Sequence, residues 1–250
     1  MSEQKKYRVL VVIPAFKESR RLPLFLNELT EVIKNTSAGI DILVVDDGSG
    51  KKEQDIICKN VLGFQDKFAF VLNPILLESN IGKGGAILAG WDYAKDYDCL
   101  AFVDADGAVP AMEVKRLADL LSTEHRGESI FGARIKMLGK KINRGWIRHL
   151  SGRIFSFIVG VMVEPDIYDS QCGLKFIKKE AYMAIRNRLK GRRFAFDVEL
   201  IAALKSARYP VVEVPISWRD VPGSKVSIFK DTMYMTISVI QIRKEMKQWM

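Results

Sequence analysis

One stretch constrains the fold of this 250-residue chain more than any other: Leu100-Ala101-Phe102-Val103 running straight into Asp104-Ala105-Asp106-Gly107. A short apolar run bounded by a turn signal reads as a strand buried on both faces, which belongs in a parallel sheet. In open α/β sheets ligands bind off the carboxyl ends of the strands, so Asp104 and Asp106 are placed at the mouth of a crevice. Side chains at i and i+2 of an extended chain point the same way. Two carboxylates on one side repel an anion but suit a hard divalent cation with a phosphate beyond it. Asp and Gly are also ordinary turn residues, and this segment alone does not separate the two readings.

The rest of the chain repeats the pattern. Tyr7–Ile13 is a β-branched apolar run stopped by Pro14, and Ile40–Val45 is a second, ending in Asp46-Asp47-Gly48-Ser49. Between them Ser19 is placed to cap a helix to about Asn35, with Leu22, Phe25, Leu26 and Leu29 along one stripe. A polar helix, a weak strand near Phe68–Leu72, a helix from the Asn80–Gly85 loop to about Ala94, a helix over Pro110–Leu121 and a strand at Ser129–Ala133 follow. This alternation predicts an α/β protein with a mostly parallel sheet flanked by helices. The second half is less regular: an apolar helix over Trp146–Val163, a strand at Gly173–Ile177, short helices at Lys179–Leu189 and Asp197–Ser206, a strand at Pro210–Val214 and a mixed helix from Ser227.

Two loops add chemistry to the acidic turn. Pro14-Ala15-Phe16-Lys17-Glu18 and Asp46-Asp47 end neighbouring strands, where a ring and acceptor carboxylates would bracket a nucleotide base; Asp47 and Ser49 are equally good helix caps. Gly82-Lys83-Gly84-Gly85 opens a helix, and glycines there let the backbone approach a phosphate. It is neither a dinucleotide fingerprint, since Ile87 replaces the third glycine, nor a P-loop, since Gly84 follows the lysine.

Charge and cysteine usage narrow the class. The formal charge is +9, with Arg134, Lys136, Lys140, Lys141, Arg144, Arg148 and Arg153 in one run free of acids. Such an excess calls for an anionic partner. The run continues into the apolar Ile154–Val163, which suits a membrane interface better than nucleic acid, where aromatic residues would interleave with charge. A core helix with a solvated basic face is the plainer alternative. Cys58, Cys99 and Cys172 lie far apart and form no disulfide framework or metal motif, and two histidines are too few for a zinc site. No signal peptide is visible, and the longest uncharged runs fall short of the roughly 20 residues of a spanning helix. The expectation is a protein of the cytoplasm, peripheral on the cytoplasmic face of a membrane.

In this order the motifs Val-Val-Ile-Pro-Ala-Phe-Lys-Glu, Val-Asp-Asp-Gly-Ser, Asn-x-Gly-Lys-Gly-Gly-Ala and Asp-Ala-Asp-Gly resemble glycosyltransferase family 2, of the GT-A fold. Asp169-Ser-Gln-Cys-Gly-Leu-Lys175, Phe194-Ala-Phe-Asp-Val-Glu-Leu200 and Trp218 followed by Gly223-Ser-Lys225 narrow the resemblance to its polyprenyl- and dolichyl-phosphate glucosyltransferase branch. The resemblance implies one GT-A domain over 1–226, with a nucleotide-binding half to about 134 and an acceptor-binding half to 226, then a C-terminal helix over 227–250. It implies that Pro14, Phe16, Glu18 and Asp46 or Asp47 line the base, and that Lys83 reaches the ribose or diphosphate. Asp104 would meet the ribose and metal region, and Asp106 would hold Mg²⁺ or Mn²⁺ against the diphosphate. Arg134, Arg148 and Ser151 would hold an acceptor phosphate. Asp169, Gln171, Asp197 and Glu199 would lie near the sugar, and Arg219 and Lys225 would clamp the diphosphate. Ala108 stands where mannosyl members of the branch carry a further glutamine ligand. The N-terminal membrane helix common in the branch is not seen, which favours a prokaryotic polyprenyl acceptor.

The implied reaction is inverting, metal-dependent transfer of a sugar, glucose by resemblance, from a UDP-linked donor to a polyprenyl phosphate, either undecaprenyl or dolichyl. The implied partners are that donor and acceptor, a membrane surface, and an integral-membrane protein or a second copy; nucleic acid is not among them. A phosphate dianion needs little help from a base. A hydroxyl acceptor in surface-glycan synthesis would need one, and Asp197 is the candidate. Two further readings remain at this point: a sugar-phosphate nucleotidyltransferase, which would want a glycine-rich basic loop after the first strand, and a membrane-associated nucleotide-binding scaffold without activity.

Overall fold

Buried residues on β1 (Arg8–Ala15) alternate between two apolar layers. Val9, Val11 and Ile13 face one, and Leu10 and Val12 the other. A strand covered on both sides must be apolar at every position, which is why the sequence shows an unbroken run. The computed structural model describes residues 7–34, 36, 38–123, 129–135, 167–191, 193–221 and 228–249. The other strands are β2 (Gly39–Asp46), β3 (Ile75–Leu76), β4 (Cys99–Val103), β5 (Ser129–Ala133), β6 (Leu174–Lys178) and β7 (Val211–Pro215). The helices among these residues are α1 (Leu22–Ile33), α2 (Lys51–Gln65), α3 (Lys83–Tyr93), α4 (Ala111–Thr123), α5 (Lys179–Ile185), α6 (Phe196–Ser206) and α7 (Ile228–Trp249).

The strands form one mixed sheet in the order β3-β2-β1-β4-β6-β5-β7. β1 pairs in parallel with β2 on one side and β4 on the other. The chain therefore winds outward to β3, then returns to start again on the far side of β1. Loops leaving β1 and β4 diverge at that reversal and open a crevice at the carboxyl ends of both strands. β6 runs antiparallel between β4 and β5, and β5 pairs in parallel with β7.

Helices α1, α2 and α4 cover one face through Leu22, Leu26, Leu29, Ile57, Leu117 and Leu121. On the other, Trp91 of α3 is fully buried among Phe102, Tyr182 and Phe196, its ring 5.2 Å from that of Tyr182, and its Nε1 donates to the Ala101 carbonyl at 3.0 Å. Removing such a ring costs about 3–5 kcal/mol. α7 lies against α6, with Val239 and Ile242 packed on Ala195, Val198 and Ala202. No helix among the described residues is long and apolar enough to cross a membrane.

Several local expectations are corrected. β1 passes through Pro14, which pairs opposite Val45, because a strand's last residues need not donate to a neighbour. The weak strand near Phe68–Leu72 contributes only a single bridge at Val71; β3 follows it at Ile75–Leu76. Ser19 is not the cap of α1: Arg21 stands there without a side-chain cap bond, and the Glu18 carbonyl accepts the N–H groups of Arg21 and Leu22 instead. The helix expected over Trp146–Val163 lies outside the described residues.

Candidate active site

The acidic turn leaves β4 directly. The Asp104 N–H donates to the Gly173 carbonyl at 3.1 Å, Asp106 Oδ1 accepts the Ala108 N–H at 3.0 Å, and Gly107 takes the left-handed conformation at φ 70° that a tight turn requires. Arg219 straps the turn from β7's side. Its N–H donates to the Ala108 carbonyl at 2.9 Å, its Nε to the Gly107 carbonyl at 2.7 Å, and its far nitrogen pairs with Glu28 at 2.6 Å. Burial, then the neighbouring Asp104 charge, push the Asp106 carboxyl above its ordinary pKa, against the Ala108 N–H and Arg21.

Behind the turn lies a chain of alternating charges. Lys83, the first residue of α3, places Nζ 2.9 Å from Asp104 Oδ1 and 3.3 Å from Asp197 Oδ2. Asp197 sits in the first turn of α6, 2% exposed, and its Oδ1 accepts from Lys175 Nζ at 2.5 Å. Burial works against the charge of Lys83, but Asp104 and Asp197 outweigh it and hold the ammonium above its usual pKa. Burial likewise opposes the Asp197 charge, and Lys175 and Lys83 overcome it to hold the carboxyl below its usual value.

The residues at the ends of β1 and β2 that were expected at the nucleotide lie side by side, with different local duties. Pro14 and Phe16 are half-buried at the end of β1, with Lys17 Nζ 5.2 Å from the Phe16 ring centre. Glu18 is buried and held by Arg21, whose Nε donates at 2.7 Å. A cavity of about 280 Å³ opens beside them, lined by Lys17, Glu18, Ser19, Arg20, Arg21 and Glu53. Asp46 is fully buried, its oxygens engaged by the Ser49 N–H at 2.9 Å, the Ser49 hydroxyl and Gln54 at 2.9 Å. Asp47 accepts from the Ile81 N–H at 2.8 Å, the Gly82 N–H at 2.9 Å and Asn80 at 2.8 Å, and so anchors the loop that opens α3. Burial raises the Asp47 pKa, against those N–H groups and Arg193. Gly84 in that loop answers to packing: a Cβ there would lie 2.5 Å from Phe196.

Of the residues expected at the acceptor and the sugar, Arg134 and Asp169 hold each other. Nε donates to Oδ2 at 2.6 Å, Nη2 to Oδ1 at 2.7 Å, and the Arg134 N–H to Oδ2 at 2.8 Å. Burial opposes the Arg134 charge, yet Asp169 keeps its pKa above the usual arginine value. Next to them, Ser170 Oγ and Gln171 Nε2 are buried with no hydrogen-bond partner among the described residues. Glu199 has no exposed surface; it accepts the N–H groups of Lys190 and Gly191 at 3.1 and 2.9 Å and supports the loop behind Gly84. Arg148, Ser151 and Lys225 lie outside the described residues.

Asp104 and Asp106 fit a magnesium or manganese ion, which takes one or two carboxylates and completes its shell with substrate phosphates and water. Among the described residues no group of three or more His, Cys, Asp or Glu side chains is arranged to hold a metal without such help. A cation held between Asp104 and Asp106 would offset the burial and the Asp104 repulsion that raise the Asp106 pKa. Sequence reasoning gave no role to Lys175, Arg21 or Arg193, whose Nη1 donates to Asn80 at 2.9 Å. For Lys175 a signal existed: it is an ammonium inside the apolar strand Leu-Lys-Phe-Ile-Lys.

Residues 10–186 match the model of the family described as Glycosyl transferase family 2. Dolichyl-phosphate beta-glucosyltransferase of Drosophila melanogaster is 30% identical over 94% of this chain and 74% of its own length; the Homo sapiens protein of that name is 29% identical over 93% and 74%. Among solved structures, glucosyl-3-phosphoglycerate synthase from Mycobacterium tuberculosis in complex with Mn²⁺, UDP-glucose and phosphoglyceric acid superposes with a TM-score of 0.70 at 13% identity, over 96% of this chain and 79% of that one. The fold is GT-A, and the chain is a glycosyltransferase that belongs to glycosyltransferase family 2.

Proposed function

We propose that this glycosyltransferase moves glucose from UDP-glucose to a polyprenyl phosphate at a membrane surface, with inversion at the anomeric carbon. The state of Asp197 carries the choice of acceptor. A hydroxyl must lose a proton as it attacks, and its base must be free to take it. Asp197 is 2% exposed, bonded to two ammonium groups, and held below the usual carboxylate pKa. That is a counterion, not a base. A phosphomonoester, with a second pKa of about 6, is already a dianion near neutral pH and brings no proton to remove. The names of the dolichyl-phosphate relatives agree with this reading.

In this reading Pro14, Phe16 and Glu18 bound the base, with Asp46 and Asp47 ordering the loops around it. Lys83 turns its ammonium from Asp104 to the donor's diphosphate. Asp104 and Asp106 would hold Mg²⁺ or Mn²⁺ there, and the ion when bound would supply positive charge beside the leaving diphosphate. Arg219 adds charge beside the acidic turn, and the same role is assigned to Lys225. Arg134, with Arg148 and Ser151, receives the acceptor phosphate, and Gln171 offers its unpartnered Nε2 to the sugar. A phosphate oxygen attacks the anomeric carbon from the face opposite the leaving group, the carbon–oxygen bond to the diphosphate breaks, and UDP departs with the electron pair. Catalysis is electrostatic, because the cations are fixed before charge develops. The net charge of +9 favours anionic headgroups, in keeping with work on the cytoplasmic face of a membrane.

The test is transfer of radiolabel from UDP-glucose, UDP-GlcNAc, UDP-galactose and GDP-mannose to undecaprenyl or dolichyl phosphate in detergent, beside an Asp106→Ala control. Label entering the organic phase from UDP-glucose alone, and not with the control, supports the assignment. Transfer from another donor changes the sugar, and none from any donor refutes the acceptor.

A further inference from the structure

Lys175 stands where an apolar residue is expected. It lies in the middle of the sheet on β6, opposite Phe102 of β4 and Phe131 of β5, and is 0% exposed. Its Nζ sits 5.4 and 5.2 Å from the two ring centres and has two hydrogen-bond acceptors, Asp197 Oδ1 at 2.5 Å and the Cys172 carbonyl at 2.7 Å. Well-packed apolar residues are often as stabilising as a buried ion pair, so stability alone does not account for the pair.

Its relation to Lys83 does. Asp197 spends one oxygen on each lysine, at 2.5 Å to Lys175 and 3.3 Å to Lys83. Lys83 lies closer to Asp104, at 2.9 Å, on the cleft side. We infer that Lys175 is a positioning residue: by neutralising Asp197 it leaves the Lys83 ammonium at the cleft and able to leave Asp197 for the donor's diphosphate. When Lys83 turns to a phosphate, Asp197 keeps a buried partner. Without Lys175, the same movement would strand a carboxylate in a site closed to water, and Lys83 would stay with Asp197. Lys175 also ties the start of α6 to the Cys172–Gly173 loop that abuts Asp104, so both flanks of the acidic turn are referred to one atom. The inference rests on the reading that Lys83 meets the donor diphosphate.

The test is calorimetric titration of the full chain with UDP and with uridine in the presence of Mn²⁺, for the wild type, Lys83→Met, Lys175→Met and the double variant Lys175→Met/Asp197→Asn. Stoichiometry reports the folded fraction, and the ratio of UDP to uridine affinity isolates the phosphates. Lys83→Met and Lys175→Met each lower that ratio about 10- to 100-fold, the loss expected for one charge-assisted contact. The double variant, which has no stranded carboxylate, returns to within about threefold of the wild type, a residual difference well under one such contact. An unchanged ratio in Lys175→Met overturns the inference, as does an equal loss of UDP and uridine affinity, which marks a merely structural role. A double variant as weak as the single one does the same. If Lys175→Met does not fold, Lys175→Gln takes its place in the same comparison: a ratio about tenfold lower, restored by adding Asp197→Asn, supports the inference, and an unchanged or unrestored ratio overturns it. Unaltered UDP binding by Lys83→Met overturns the Lys83 assignment itself, and this inference with it.

Discussion

Gly173→Ala adds one methyl group, changes no charge, and is expected to disable the site. A Cβ on Gly173 would lie 2.0 Å from Asp104 Oδ2 and 2.5 Å from its carboxyl carbon. Real contacts of this kind do not fall below 3.0 Å, so the oxygen must withdraw by at least 3.0 − 2.0 = 1.0 Å. The backbone cannot share the movement freely, because the Asp104 N–H is bonded to the Gly173 carbonyl at 3.1 Å. The side chain must therefore rotate, breaking the 2.9 Å contact of Oδ1 with Lys83. An off-rotamer side chain costs about 0.5–1.5 kcal/mol, a small part of a domain's stability. A displacement of 1 Å at a reacting centre costs about 100-fold in rate. The expected result is a loss of about 100-fold in kcat/KM, by organic-phase transfer, with a fall in Tm of no more than about 5 °C. Gly63→Ala is the control: nothing lies within 4 Å of a Cβ there, and alanine within α2 should raise stability by about 0.5–1 kcal/mol at unchanged activity. Activity of Gly173→Ala within twofold of the wild type would refute the argument that Asp104 must stand where the structure puts it.

Asp47→Ala strands the N–H groups of Ile81 and Gly82 and the Asn80 amide; urea melts should show a loss of about 3 kcal/mol, the scale of a buried charged acceptor. For Asp106 the folded protein binds a proton more readily than the unfolded chain, because burial and Asp104 raise its pKa. Its contribution to stability is full below about pH 4, the ordinary aspartate value, and is lost as pH rises through the raised one. Asp106→Asn should therefore raise the metal-free Tm at pH 7 but not at pH 4, lose any rise in Tm caused by Mn²⁺, and abolish transfer. Arg219→Ala removes the strap on the Gly107 carbonyl, and single-turnover transfer should slow about tenfold, as for one charge-assisted bond.

What the sequence disclosed was the set of places where an apolar run meets a polar turn. The strand Ser129–Ala133 and the carboxyl ends of β2 and β4 were legible because both faces of each strand are buried, and every residue carries that mark. Strand direction leaves no such mark, so the antiparallel β6 that completes the sheet beside β4 was not foreseen. The motifs located Asp47, Lys83 and Asp197, but their partners are 21 to 114 residues away in sequence, and periodicity says nothing at that range. Gly84 reads as a phosphate-loop glycine in sequence and Gly173 as the first residue of a strand, whereas their neighbours in space explain why each is glycine: Phe196 for Gly84, Asp104 for Gly173. The role of Ser19 was misjudged because helix-start rules weigh side-chain caps, and here a backbone carbonyl and the Glu18–Arg21 pair hold the first turn.

The central claim is that the acceptor arrives as an anion and needs no base from the protein. The most direct measurement compares initial rates of glucose transfer from UDP-glucose to a polyprenyl phosphate and to the polyprenol of the same length, in the same detergent with Mn²⁺. With Asp197 committed to two lysines, the alcohol should react about a thousandfold more slowly than the phosphate, the scale of a missing general base. Transfer to the alcohol at a comparable rate would contradict the account and return Asp197, or another carboxylate of the cleft, to the role of base.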